Sequence, residues 1–347
     1  MRSRIVLFAS LLLACGRTEL LSPGRLDTGG RAAGADAGSG AGGAAGKPDG
    51  PGTPTIVEFA IPSLGADARR ITPGPDGNLW FTECTRNQLG RISLAGDITE
   101  IGLPIQSDQP RCPLGITAGP DGNLWFTEAD AGVVGFATPA GHTSELISVY
   151  PDSPQGIVAA GDGTLWFTGD AEHLGSLTTI GYLTDRFSSM HESWQEIANG
   201  PDGTVWVTGL GGDNLASCSL SDVCQEFVLS PGSYPYGIVA GPDGNMWFAE
   251  AAGNRIGRIT LDGRLTEFAL PTRDSGPRII AVGSDGALWF TEYLADQIGR
   301  ITVDGQVSEI QVPTPFAYPC GIAAGKDGNI WFTEEIGNKI GRVTVPR

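Results

Sequence analysis

The chain is 347 residues long and acidic, with a formal net charge of −17, and it is rich in glycine (52) and proline (24). That charge, with no cluster of Lys and Arg anywhere, excludes a nucleic-acid partner, because phosphate binding draws on clustered cations. So much glycine and proline among mostly strand-forming apolar residues points to many short strands joined by tight turns.

The first residues read as an export signal. Arg2 and Arg4 supply a positive start, Ile5 to Leu13 is a short apolar run, and Leu12-Leu13-Ala14-Cys15 ends it. The run is too short to span a bilayer as a mature helix. A small residue followed by Cys at the cleavage point resembles a bacterial lipoprotein signal. Residues 1–15 are therefore expected to be a leader ending at Cys15, which would be lipidated and hold an exported protein to the cell envelope through acyl chains alone. Residues 16–54 are Gly/Ala-rich with almost no large apolar side chain, the composition of a disordered tether.

From residue 55 to 347 one unit repeats seven times. Its clearest copy is Gly74-Pro75-Asp76-Gly77-Asn78-Leu79-Trp80-Phe81-Thr82-Glu83, and its tryptophan returns as Trp125, Trp166, Trp206, Trp247, Trp289 and Trp331. The steps of 45, 41, 40, 41, 42 and 42 residues define a repeat architecture. Within each unit, Pro-Asp-Gly and Asp-Gly turns separate short apolar runs, so four antiparallel strands, A to D, are expected and no helix. Seven such units predict an all-β, seven-bladed propeller. The segment Thr55 to Pro62 has a strand-D pattern while the chain ends on a strand C, Lys339 to Thr344. The N-terminal strand is therefore predicted to complete the last blade and close the ring.

In this topology the entry to strand A and the exit from strand B share one face, the mouth. The residue before the Gly-Ile of strand A reads Arg69, Leu114, Gln155, Gln195, Tyr236, Arg278 and Cys320 around the ring. The residue ending Trp-Phe-Thr-Glu reads Glu83, Glu128, Gly169, Gly209, Glu250, Glu292 and Glu334. Both positions are expected to converge at the mouth, whereas the repeated Trp and Phe fill the space between blades. Five carboxylates there would suit a divalent cation or acid–base chemistry. The alternative is scaffolding: Glu83, Glu250, Glu292 and Glu334 are each followed eight residues on by Arg91, Arg258, Arg300 or Arg342, a spacing that fits a repeated ion pair. Glu128 has Phe136 at that place and stands out as a carboxylate free for function.

Of the three histidines, His142 falls in a far-face turn, and His173 and His191 fall in mouth-side loops near Asp170, Glu172 and Glu192, where a metal site is one reading and idle loop residues the other. Export permits disulfides. Cys84 and Cys112 lie on the same face of neighbouring blades and Cys218 and Cys224 flank one turn, so both pairs are expected to be bridged. That leaves Cys320 odd: a mouth nucleophile or a buried inert thiol.

The tandem Pro-x-Gly-Ile, Gly-Pro-Asp-Gly-Asn-Leu-Trp-Phe-Thr-Glu and Asn-x-Ile-Gly-Arg-Ile-Thr motifs from Thr55 to Arg347 resemble the virginiamycin B lyase (streptogramin lyase) family. The resemblance implies a Mg2+-dependent lyase that linearises a cyclic depsipeptide antibiotic by elimination across its ester. It places a catalytic His before the Gly-Ile of the last blade, a second His one blade earlier, a Glu two residues before the first, and a metal-holding Glu at the end of the last Trp-Phe-Thr-Glu. Carried over, these positions hold Cys320, Arg278, Tyr318 and Glu334, and Tyr293 keeps an aromatic that the family sets against its substrate. Neither Cys320 nor Arg278 replaces a histidine as a base near neutrality, and a positive Arg278 repels a cation.

Two functions follow. The first is a lipid-anchored, monomeric propeller that binds a small molecule, peptide or glycan through Arg69, Glu128, Tyr236, Arg278, Tyr293, Tyr318 and Glu334 without the family's elimination. The second is a divergent lyase working through Glu334, Glu128 or Cys320, with Mg2+ held at Glu334.

Overall fold

The computed structural model describes residues 54–104, 111–148, 153–169, 173–188 and 193–345. Cys15, the tether up to residue 53, His191, Asp170, Glu172 and Glu192 lie outside them. Twenty-eight strands form seven four-stranded antiparallel sheets, and the described residues contain no helix. Six sheets take four consecutive strands; blade one, for example, uses Ala68–Pro73, Leu79–Glu83, Gln88–Ile92 and Ile98–Gly102 as strands A to D. The seventh combines Pro319–Ala324, Ile330–Glu334 and Lys339–Thr344 with the N-terminal strand Thr55–Ala60. Thr55 pairs with Thr344 and Ala60 with Lys339, so the ring is closed as expected.

The conserved-looking letters of the unit each have a mechanical part. At the A–B turn the Asp76 carboxylate accepts the indole N–H of Trp80 at 3.1 Å, and the same bond recurs at Asp121, Asp243, Asp285 and Asp327. In blades three and four, Thr164 and Thr204 accept it instead. The fully buried indole then packs on the following blade: Trp80 on Ile116, Leu124 and Phe126, and Trp331 on Ile71, Leu79 and Phe81. Removing such a side chain costs about 3–5 kcal/mol. The Phe lies over a glycine of strand C, where a Cβ at Gly90 or Gly341 would land inside the ring of Phe81 or Phe332. Blade four makes the complementary exchange, with Val207 for the Phe and Ala216 for the glycine across the ladder.

Every strand A carries an irregularity in register at the same two residues, such as Arg69–Arg70 between Ala68 and Ile71. A bulge withdraws an amide from the ladder and re-aims side chains. The Thr of the repeat answers that lost bond: Thr82 accepts the Arg70 N–H at 3.0 Å and donates its hydroxyl to the Leu114 carbonyl of blade two at 2.9 Å. The series ends with Thr333 donating to the Arg69 carbonyl at 2.8 Å, which rivets the last blade to the first. Blade five has Ala249 here.

Candidate functional site

The mouth is shaped by straps that carry the chain from strand D of one blade to strand A of the next. Each of the four straps that lie wholly within the described residues is held by the loop Asn or Asp of the motif: Asn338, Asp213, Asn254 and Asp296. Asn338 accepts the Ala66 N–H at 2.9 Å and donates to the carbonyls of Ile61 and Ser63. Asp296 accepts the N–H of Phe316 at 2.7 Å and of Tyr318 at 3.0 Å. These contacts hold two strap positions in the left-handed region, occupied by Gly65 and Asp67, by Gly232 and Tyr234, and by Asp274 and Gly276. The strap into blade seven instead has Phe316 (φ 56°) and Tyr318 (φ 51°). Left-handed backbone at bulky residues costs about 1–2 kcal/mol each, and such strain gathers at functional sites. The Phe316 ring is 70% exposed, and Leu64 (78%) and Ile336 (62%) stand on the same rim.

Below this rim, the strand-A bulges bury Arg69, Tyr236, Arg278 and Cys320. Arg69, Arg278 and Tyr293 are joined by Glu335, a residue sequence reasoning passed over. Arg69 Nη1 lies 3.0 Å and Arg278 Nη1 3.8 Å from Glu335 Oε2, and the Tyr293 hydroxyl donates to Glu335 Oε1 at 3.1 Å. Arg69 also meets Asp67 at 2.9 Å. The Arg278 guanidinium lies 3.3 Å from the Tyr293 ring centroid and 5.5 Å from that of Tyr236, and Tyr293 packs on Tyr318 at 4.9 Å. Five of the proposed binding residues, Arg69, Tyr236, Arg278, Tyr293 and Tyr318, thus form one cluster. Leu114, Gln155 and Gln195 are buried on their own bulges.

The five glutamates do not form a ring at the mouth. Strand side chains alternate, so Glu334 shares the face of Phe332 and turns into the blade, while Glu335 takes the mouth. The Glu292 carboxyl lies over Gly299 of strand C, which is paired with Glu309 of strand D. The same geometry gives Glu83 with Glu100, Glu128 with Glu145, Glu250 with Glu267 and Glu334 with Glu58. Burial, then repulsion from Glu100, pushes Glu83 up to about 8; burial and Glu58 raise Glu334 to about 8; burial raises Glu292 to about 7 against a hydrogen bond with Ser275. Glu83 and Glu334 thus favour the protonated form at neutral pH, each facing a second carboxyl, Glu100 or Glu58, whose charge would oppose its ionisation. Glu334 is fully buried, its carboxyl lying against Gly337 of the B–C loop and facing Glu58.

Glu128 is not free. Arg111, from outside the repeat pattern, donates to it at 3.0 Å and also pairs with Glu145; burial nevertheless leaves Glu128 at about 7. In blade five Arg255 does the same for Glu250 at 2.7 Å. Nor do the arginines eight residues on pair with the glutamates. The antiparallel register sets Arg91 opposite Trp80 and Arg300 opposite Trp289. Their guanidiniums lie over the indoles, 5.5 and 5.8 Å from the ring centroids, and approach the turn carboxylates, 2.8 Å for Arg300 with Asp285. Blade three, lacking that Arg, supplies Arg186 from strand D over Trp166.

Cys84 is bonded to Cys112 and Cys218 to Cys224, while Cys320 is a buried thiol 3.5 Å from Arg70 Nη1. His142 is exposed in its turn and His173 opens strand C of blade three. The Mg2+ implied by the resemblance does not fit this donor set. The mouth carboxylate, Glu335, faces two guanidiniums, and among the described residues no group of three or more His, Cys, Asp or Glu could hold a metal ion.

Comparison with solved structures gives a virginiamycin B lyase from Staphylococcus aureus at 32% identity and TM-score 0.79, covering 84% of this chain and 100% of that one. A catalytically inactive variant of the S. aureus enzyme with quinupristin matches at 32% identity, TM-score 0.78, over 84% and 100%. Hydrazine synthase of Kuenenia stuttgartiensis, at 15% identity, TM-score 0.69, over 83% and 97%, shares the fold alone. No curated protein matches. The sequence model of the virginiamycin B lyase family matches residues 46–185 and 147–346. The chain belongs to the virginiamycin B lyase family.

Proposed function

We propose that this protein is an exported, lipid-anchored family member that captures a peptide-like ligand with an apolar or aromatic face at the mouth and leaves it chemically intact. The observation that carries this is Phe316, a 70% exposed ring held at φ 56° on the rim above the Tyr–Arg cluster. Exposed aromatics on rigid backbone are efficient anchors, and Tyr and Arg are frequent at binding hot spots. Elimination is disfavoured by chemistry: Cys320 and Arg278 stand where the resemblance places histidines, and Glu335 is neutralised by Arg69 and Arg278. The anchor is read from Cys15 and its preceding apolar run, and the protein acts as a monomer without nucleic acid.

The test incubates the full chain with quinupristin and Mg2+, reading binding by calorimetry and ring opening by mass spectrometry. Binding of intact quinupristin that Phe316→Ala weakens supports the proposal. Ring opening by the wild type that Glu334→Gln abolishes establishes the lyase reading, which the 32% identity to a lyase favours, and ring opening of any kind overturns the proposal. Neither binding nor ring opening rejects the ligand class.

A further inference from the structure

The mouth contains a place where a cation would be expected, and the chain fills it with its own side chains. The Arg69 guanidinium sits between two carboxylates, with Nη2 at 2.9 Å from Asp67 and Nη1 at 3.0 Å from Glu335. Two carboxylates with water completing the shell are what a Mg2+ ion commonly takes. A second guanidinium, of Arg278, approaches the same Glu335 oxygen at 3.8 Å, and the other oxygen accepts the Tyr293 hydroxyl. Arg69, Arg278 and Glu335 are 2%, 1% and 5% exposed, so water screens these charges weakly. Guanidinium is the suited occupant: weakly hydrated, always charged, planar enough to lie against Tyr293 and Tyr236, and able to donate to two carboxylates at once.

We propose that Arg69 and Arg278 occupy the cation position of this mouth, so that it is closed to divalent metals and any ligand bound there is bound without one. A metal ion entering here would face two fixed positive charges and find both oxygens of Glu335 already engaged. Arg278 also lies on the strand-A bulge of blade six, so its backbone is fixed by the fold. The cluster is thereby an internal substitute for the ion: it neutralises Asp67 and Glu335 beneath the rim that exposes Phe316. The inference deepens the binding reading and rests on it for ligand capture.

The experiment needs no ligand. Mn2+ is titrated into the full chain and followed by electron paramagnetic resonance, with calorimetry of Mg2+ alone. The wild type is expected to show no site tighter than about 10⁻³ M. Arg69→Ala/Arg278→Ala is expected to gain one Mn2+ site that a further Glu335→Gln removes. Where the double Ala variant fails to fold, Arg69→Gln/Arg278→Gln, which keeps side-chain bulk, carries the same expectation. A wild-type Mn2+ site abolished by Glu335→Gln overturns the proposal, and so does a folded double variant that gains no site. Because metal binding is read alone, a failure to capture quinupristin leaves this result standing.

Discussion

Arg70 of blade one reaches Glu196 of blade four, with its Nε 2.8 Å from the Glu196 Oε1. Blades one and four are not neighbours, so the pair crosses the middle of the ring. Both residues take the second bulge position, which is Gly115, Gly156, Gly237 and Gly321 in four other blades. Arg70 also faces Tyr236 of blade five and Cys320 of blade seven. One side chain therefore braces four blades through the interior. Both partners are 15% exposed, so removing one strands a largely buried charge. Arg70→Ala and Glu196→Ala are each expected to cost about 3 kcal/mol in urea unfolding, with the double variant clearly less destabilised than the sum.

The threonine rivets make a second prediction. Thr333→Ala removes a hydroxyl that links the last blade to the first and leaves the Gly321 N–H and Arg69 carbonyl without it. A loss of about 1–2 kcal/mol is expected by denaturant titration. The reverse change, Ala249→Thr in blade five, restores the missing rivet toward the Arg278 carbonyl and is expected to raise the melting temperature.

The paired carboxyls give a pH dependence. Glu83 is raised to about 8 when folded, against an ordinary value near 4.5. Below the ordinary value both folded and unfolded forms are protonated and its contribution is fully present. Between about 4.5 and 8 only the folded form keeps the proton, so stability falls as pH rises, by about 1.4 kcal/mol per pH unit per group, and the loss is complete above 8. Glu83→Gln, which can still donate to Glu100, is expected to flatten this slope and to be more stable than wild type at pH 8. Equal slopes in both proteins would show that Glu83 is ionised in the fold.

The strap into blade seven tests the link between strain and binding. Phe316→Gly relieves a left-handed phenylalanine and is expected to keep or raise stability, by up to about 1 kcal/mol, while weakening quinupristin capture. A variant both less stable and equally good at binding would assign the ring a packing role.

The ring and its closing strand were legible because each depends on local signals repeated seven times: turn glycines, a period of two, and a strand D displaced to the N-terminus. The Trp and Phe roles followed for the same reason. The site was legible only in part. The placing of Arg69, Tyr236 and Arg278 side by side could be read because their position relative to Gly-Ile fixes them on a bulge. Glu335 was missed by one residue: Trp-Phe-Thr-Glu ends on the side chain that turns inward, and strand alternation hands the mouth to the residue after it. That position reads Cys84, Ala129, Ala251, Tyr293 and Glu335 in the described blades that keep the Glu, and its variability was the available signal. Arg111 could not be found from the repeat because it lies outside it. The spacing between each Glu and its Arg reflected two separate partnerships, carboxyl with carboxyl and guanidinium with indole.

The direct measurement is anomalous diffraction from crystals soaked in Mn2+. A guanidinium-filled mouth gives no anomalous peak within coordination distance of Glu335, with Arg69 and Arg278 in electron density beside it. A peak at Glu335 with either arginine displaced would contradict it.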